Sequence, residues 1–301
     1  MLGRPPNLMK GDQIGILSTA RAIDKNELHF ALDLIQSWGL IPVLGQSIGV
    51  RDNQFAGNDE WRAKDLQEML DNPAIKAIFC ARGGYGTVRI MDYLDFSRFT
   101  QNPKWIVGYS DVTILHAHIN NYLGIQTLHA TMPINYQSNT SESLNSLKKS
   151  LFGEGTIYQF DSHNLNRKGA VQGEILGGNL SILYSILGTK SGFNPDNKIL
   201  FIEDLDEYLY HIDRMMMALK RAGKLSKLKA LVVGAMSDMN DNTIPFGQSA
   251  EEIISAHCAE YNYPICFNAP IGHVNNNLSI QCGGEYALTI DNHQCKMQLL
   301  A

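Results

Sequence analysis

An α/β protein with two domains is what this sequence predicts, and three observations carry the prediction. Short apolar runs alternate with helical patterns through the first half of the 301 residues. A polar stretch without periodicity, Asp161–Lys168, then interrupts the chain, and the C-terminal end turns to closely spaced strands. Taken in order, Gln13–Ser18 has the pattern of a buried strand. Asp24 follows as a helix cap, with Glu27 completing a capping box. Leu28, Leu32, Ile35 and Trp38 recur at helical spacing up to the stop at Gly39. Ile41–Leu44 is a second strand, and Asn58 opens a helix carrying Ala63, Leu66 and Leu70. Ala77–Cys80 and Trp105–Gly108 are further strands, each running into a turn and a helix. Alternation of this kind builds βαβ units and a parallel sheet covered on both faces.

In the second half, strands are predicted at Val171–Leu176, Lys198–Ile202, Ala230–Ala235 and Ile265–Phe267. Helices fall between them at Ile212–Ala222 and after Ser249, where Glu252 supplies a capping box. Leu278–Cys282, Gly283-Gly284 and Glu285–Ile290 have the pattern of a hairpin with a glycine turn, followed by a strand over Gln294–Leu300. The expected division is a first α/β domain over 1–160, a linker at 161–169, and a second α/β domain with antiparallel terminal strands over 170–301.

Composition narrows the function classes. Hydrophobic residues make up 44% and charged residues 18%, which excludes a disordered chain. Twenty-five basic against 30 acidic side chains leave a net charge of −5, so neither nucleic acid nor an anionic membrane is an expected partner. Five cysteines without a paired spacing argue against a disulfide framework or zinc knuckle and for a reducing compartment. The N-terminal residues lack a signal-peptide pattern, and no run approaches the roughly 20 apolar residues of a membrane span. The expectation is a cytoplasmic enzyme or binding protein.

Four segments carry residues suited to chemistry. In Lys104–Thr113 an apolar strand ends at Gly108, Ser110 occupies the turn, and a helix begins near Asp111. A serine there stands at the carboxyl end of a strand and at the positive end of a helix, where free N–H groups hold a developing oxyanion. It resembles a nucleophile elbow, with Val112 in place of the second glycine of G-x-S-x-G; it is equally placed to cap the helix. Ala81-Arg-Gly-Gly-Tyr-Gly-Thr87 follows a strand and lets backbone amides approach a ligand, yet fits neither the dinucleotide pattern nor a Walker loop. A tight structural turn accounts for it as well. Glu203 and Asp204 lie just past an apolar strand, placed for a catalytic partner or a salt bridge. His273 follows Gly272 in a loop after Ile265–Phe267, the setting of a general base or of a structural histidine. His116 and His118, two apart on a helix, do not form a two-ligand metal site, and nothing beside Cys80 marks an activated thiolate.

Together, Arg82–Gly86, Gly108–Asp111, Ile202–Asp204 and Gly272–His273, in that order, resemble the LD-carboxypeptidase family of serine peptidases, which includes the microcin C self-immunity peptidases. The resemblance runs from Lys10-Gly-Asp-Gln-Ile-Gly to the C-terminal strands and takes in Gly177-Gly178-Asn179-Leu180 and Ile212-Asp213-Arg214. It implies a flavodoxin-like N-terminal domain, a smaller C-terminal α/β domain, a homodimer, and no metal or organic cofactor. It implies a triad of Ser110 as nucleophile, His273 as base and acid, and Glu203 as the orienting carboxylate. The N–H groups of Asp111 and Gly84 would form the oxyanion hole. The implied reaction removes a terminal D-amino acid, D-alanine, from a murein tetrapeptide in peptidoglycan recycling. Arg82 is the candidate to hold the terminal carboxylate, or else braces the glycine loop. Two other readings stand beside this one: a peptidase detoxifying a peptidyl-nucleotide antibiotic, and a non-catalytic phosphate- or sugar-binding protein.

Overall fold

The alternation of the first half supplies five strands of a six-stranded sheet in the computed structural model, which describes residues 2–300. Its elements are β1 (Gln13–Leu17), α1 (His29–Ser37), β2 (Ile41–Leu44), α2 (Asp59–Asp71) and β3 (Ile75–Cys80). After them come the one-turn helices α3 (Thr87–Ile90) and α4 (Ser97–Gln101), then β4 (Trp105–Gly108), α5 (Thr113–His118), β5 (Thr127–His129) and α6 (Ser141–Phe152). The strand order β2-β1-β3-β4-β5 is parallel throughout, the order of a flavodoxin-like sheet. Ile14, Ile16, Phe79 and Val107 pack on one face against α1 and α6, through Ile35, Trp38 and Leu147. Leu17, Ile78 and Ile106 face the other way, toward α2 and α5. Strands buried on both faces need continuous apolar runs, and these runs are why they were legible.

The second sheet holds β6 (Ile157–Asp161), β7 (Gly169–Asn179), β8 (Ile199–Leu205), β9 (Ala230–Ser237) and β10 (Ile265–Cys266). Helices α7 (Leu180–Ser185), α8 (Leu209–Arg221) and α9 (Ala250–His257) lie between them along the chain. Strands β7 to β10 are parallel neighbours, while β12 (Glu285–Ile290) and β13 (Gln294–Leu299) extend the sheet antiparallel from β7 to β6. The capping boxes at Asp24 and Ser249 form as predicted. The first precedes a 3₁₀ turn that leads into α1.

Three expectations change. The predicted glycine-turn hairpin does not form: β11 (Ile280–Cys282) pairs with β5 at the edge of the first sheet, whereas β12 pairs with β7 and β13 in the second. Gly283-Gly284 is therefore the crossing between sheets. The physical reason is the competing edge of β5, which offers unpaired backbone groups to an apolar segment. Strand β6 lies before residue 161 and nevertheless belongs to the second sheet, paired with β13. Strand β8 runs past Ile202 to Leu205, so Glu203 and Asp204 lie within the strand instead of beyond it.

One apolar cluster spans both sheets. Val112, Ile114 and Leu115 around the start of α5 join Leu176, Leu180 and Leu183 of the second unit in a single apolar cluster. The Thr113 hydroxyl accepts a hydrogen bond from the Asn179 amide at 3.0 Å across the same junction. Such packing fixes the carboxyl ends of β4, β7 and β8 relative to one another.

Candidate active site

Ser110 sits where β4 ends and a 3₁₀ turn, Ser110–Val112, leads into α5. Its φ is +62°, a left-handed conformation that costs a serine about 1–2 kcal/mol. Buried residues on both sides hold the turn: Tyr109, Asp111 and Val112 are all inside. The His116 ring nitrogen Nε2 bonds the Gly108 carbonyl at 2.8 Å from one turn along α5. Strain of this kind at a strand-to-helix turn lifts a side chain off the sheet, as in a nucleophile elbow. Asp111 turns its carboxylate the other way, accepting the Thr87 amide at 2.7 Å, and so ties the elbow to the glycine loop. Burial raises its pKa.

The glycine loop lies beside this serine. A Cβ at Gly83 would come within 3.2 Å of the Ser110 Cβ, so a side chain there would press on the serine. Gly84 has φ +110°, and a Cβ there would lie 2.5 Å from Cδ of Arg21. The loop is braced from behind by Arg62, fully buried on α2, which donates to the carbonyls of Gly86 at 3.0 Å and of Thr19. Arg82 donates from Nη1 to the Ala22 carbonyl at 3.2 Å. The arginine among the residues that line the cleft is Arg21.

His273 and Glu203 approach from the second sheet. The pairing of β8 with β9 shifts register between Ile202 and Asp204, a bulge of the sort that re-aims a side chain. Glu203 is completely buried there, and its Oε2 lies 2.7 Å from His273 Nδ1. The loop carrying the histidine is fixed by Gly272 N–H donating to Asn277 Oδ1 at 2.9 Å and by Ser237 Oγ donating to the His273 carbonyl at 2.9 Å. Tyr109 packs on the imidazole with ring centroids 4.8 Å apart. Burial alone pushes His273 down, but the charge and hydrogen bond of Glu203, with the charge of Asp204, outweigh it and hold the pKa above its ordinary value. Because Nδ1 faces a carboxylate, Nδ1 carries the proton in the neutral ring and Nε2 keeps its lone pair free.

Ser110, Asp111, Gly84 and His273 line one cleft of about 300 Å³ between the two sheets, shared with Arg21 and Asp204. Among the described residues no hydrogen bond joins the Ser110 hydroxyl to His273; what they share is the cleft wall. Glu203 stands behind the histidine instead of on the surface. The cleft lies at the carboxyl ends of parallel strands, the position ligands take in open α/β sheets.

Sequence reasoning singled out Asp204 with Glu203 but missed the groups that hold it, and it missed Arg21 and Arg62 altogether. Asp204 accepts from Asn179 Nδ2 at 2.8 Å and from the Ser181 amide at 2.9 Å. Burial, then the charge of Glu203, push its pKa up to about 7. Asn179 belongs to a Gly-Gly-Asn segment already visible in the sequence, and Arg21 follows the carboxyl end of β1; both positions were signals. Arg62 gave none, since a charged residue on a helix is ordinarily exposed. Cys80 is buried and its thiol is pushed up to about 12, so it supplies no thiolate. No group of three or more metal-ligating side chains converges among the described residues.

Comparison with known proteins places this geometry among relatives. Residues 14–130 match the family model for the LD-carboxypeptidase N-terminal domain, and residues 172–288 match that for the C-terminal domain. A probable murein peptide carboxypeptidase of Bacillus subtilis is 34% identical, covering 95% of this chain and 91% of that one. A microcin self-immunity protein of Escherichia coli is 26% identical over 95% of this chain and 92% of its own. The crystal structure of muramoyltetrapeptide carboxypeptidase from Oxalobacter formigenes superposes with a TM-score of 0.88 at 26% identity, covering 96% of this chain and 99% of that one.

Proposed function

The chain belongs to the LD-carboxypeptidase family, and on that premise we propose that it is a serine carboxypeptidase that releases D-alanine from murein tetrapeptides, with Ser110, His273 and Glu203 as its triad. One observation carries the reading: a serine held at φ +62° and a histidine backed by a buried carboxylate at 2.7 Å line the same cleft. A binding protein gains nothing from keeping Glu203 fully buried against an imidazole.

In this mechanism Nε2 of His273 takes the Ser110 hydroxyl proton as Oγ bonds to the carbonyl carbon of the L–D amide. The negative oxygen of the tetrahedral intermediate sits against the N–H groups of Asp111 and Gly84. The C–N bond then breaks, and the D-alanine amine leaves with the proton from Nε2. A water gives a proton to Nε2 and attacks the acyl-serine, and the returning proton restores Ser110. Glu203 stays ionised throughout and stabilises the imidazolium that forms in each half-reaction. Recycled muropeptides are handled inside the cell, so the proposal includes a cytoplasmic address and a homodimer, as the family resemblance implies. None of the described helices is long and apolar enough to cross a membrane.

Identity favours the murein reading over the antibiotic one, 34% against 26%. The test is mass spectrometry of a purified tetrapeptide, and in parallel of an aminoacyl-sulfamoyl adenosine, after incubation with wild-type and Ser110→Ala protein. Loss of one alanine with the wild type alone supports the proposal. Cleavage of the sulfamoyl adenosine alone moves the assignment to detoxification, and alanine release by both proteins rejects Ser110 as nucleophile.

A further inference from the structure

We propose that Arg21 binds the free carboxylate of the departing C-terminal residue and so makes the enzyme a carboxypeptidase instead of an endopeptidase. This rests on the function proposed above and names the group that selects its substrate. Arg21 lines the same cleft as Ser110 and His273, and the residue is exposed. Among the described residues it enters no ion pair. An arginine beside a nucleophile, with its fork uncommitted, matches a carboxylate with two parallel hydrogen bonds.

The residue is also held in place. Its backbone is flanked by two hydrogen bonds to the 54–56 segment, Ala22 N–H to the Gln54 carbonyl at 2.9 Å and Ala56 N–H to the Ala20 carbonyl at 3.1 Å. Arg82 donates to the Ala22 carbonyl at 3.2 Å, which ties the residue next to Arg21 to the glycine loop. The stem of Arg21 lies across Gly84, where a Cβ would intrude to within 2.8 Å of Nε. The same glycine thus brings the loop amide and the cation to one side of Ser110. The lining of the same cleft also carries the acids Asp206 and Glu207. A terminal carboxylate is repelled by them and attracted to Arg21, which orients the peptide: the departing residue lies toward Arg21 and the rest toward the acids.

The experiment compares a murein tetrapeptide with the same peptide ending in a carboxamide, using wild-type, Arg21→Ala and Arg21→Lys proteins. Wild type should prefer the free acid. Arg21→Ala should raise KM for the acid by roughly 10–100-fold, with a smaller change in kcat, and erase the acid–amide preference. Arg21→Lys should restore part of it, having charge without the fork. Wild-type KM and preference retained in Arg21→Ala overturn the role of Arg21 alone. Failure of the wild type to release the terminal residue from either peptide overturns the carboxypeptidase function, and the Arg21 role with it.

Discussion

The two sides of the cleft hold their reactive groups by different means. On the first sheet, Ser110 is positioned by its backbone: a left-handed φ at the end of β4, with buried neighbours before and after it. On the second, His273 is positioned by side-chain chemistry: a buried carboxylate at 2.7 Å, an aromatic ring against one side, and a loop fixed by two hydrogen bonds. The difference follows from what each group must do in the proposed mechanism. A nucleophile needs an exposed, fixed oxygen, which a strained turn supplies without further partners. A base needs its tautomer and basicity set as well, and only a neighbouring charge can set those.

Breaking the second side electrostatically should have the largest effect. Glu203→Gln keeps the shape but removes the charge, and kcat/KM is expected to fall roughly 10⁴-fold. The acid limb of the pH profile reports the His273 pKa in the free enzyme. In the wild type, with His273 as the proposed base, activity is expected to be lost as pH falls through a value above that of an ordinary histidine, because the base must be neutral. With Glu203 neutral, burial dominates and the limb should move to lower pH. A pH–rate profile with the limb unmoved would detach Glu203 from His273.

A steric break is next. Gly272 has φ +107°, and a Cβ there would lie 2.6 Å from Oε2 of Glu203. Gly272→Ala should destabilise by about 1–3 kcal/mol, read by denaturant titration, and should lower activity by displacing the carboxylate.

The smallest expected effect sharpens the comparison from the other side. Ser110→Gly relieves the left-handed strain while glycine adds freedom to the unfolded chain, leaving a net gain of about 0.5–1 kcal/mol. An inactive protein unfolding at a slightly higher denaturant concentration is the outcome expected. Lower stability would mean that the turn does not strain the serine.

Local signals explain which parts of the molecule were legible. Strands β1, β3 and β4 showed as apolar runs because both faces are buried, and the capping boxes at Asp24 and Ser249 showed because they are contacts between residues three apart. The sheet membership of β11 and β6 did not show. A short apolar strand carries no mark of the edge it will join, and both of these pair far along the chain, with β5 and β13. In the same way, Glu203 looked like a residue beyond its strand because a charge inside a buried strand needs a partner, and that partner, His273, lies 70 positions away.

By itself the sequence determined the α/β alternation, the elbow serine, the glycine loop and the order of the motifs, all of which depend on neighbours within one turn or strand. Only the tertiary structure decided that Arg21 and not Arg82 reaches the cleft, that Glu203 is buried beneath His273, and that the terminal strands divide between two sheets. Those outcomes depend on which distant segments pack together, and burial, charge pairing and edge pairing acquire their energies only once that packing exists.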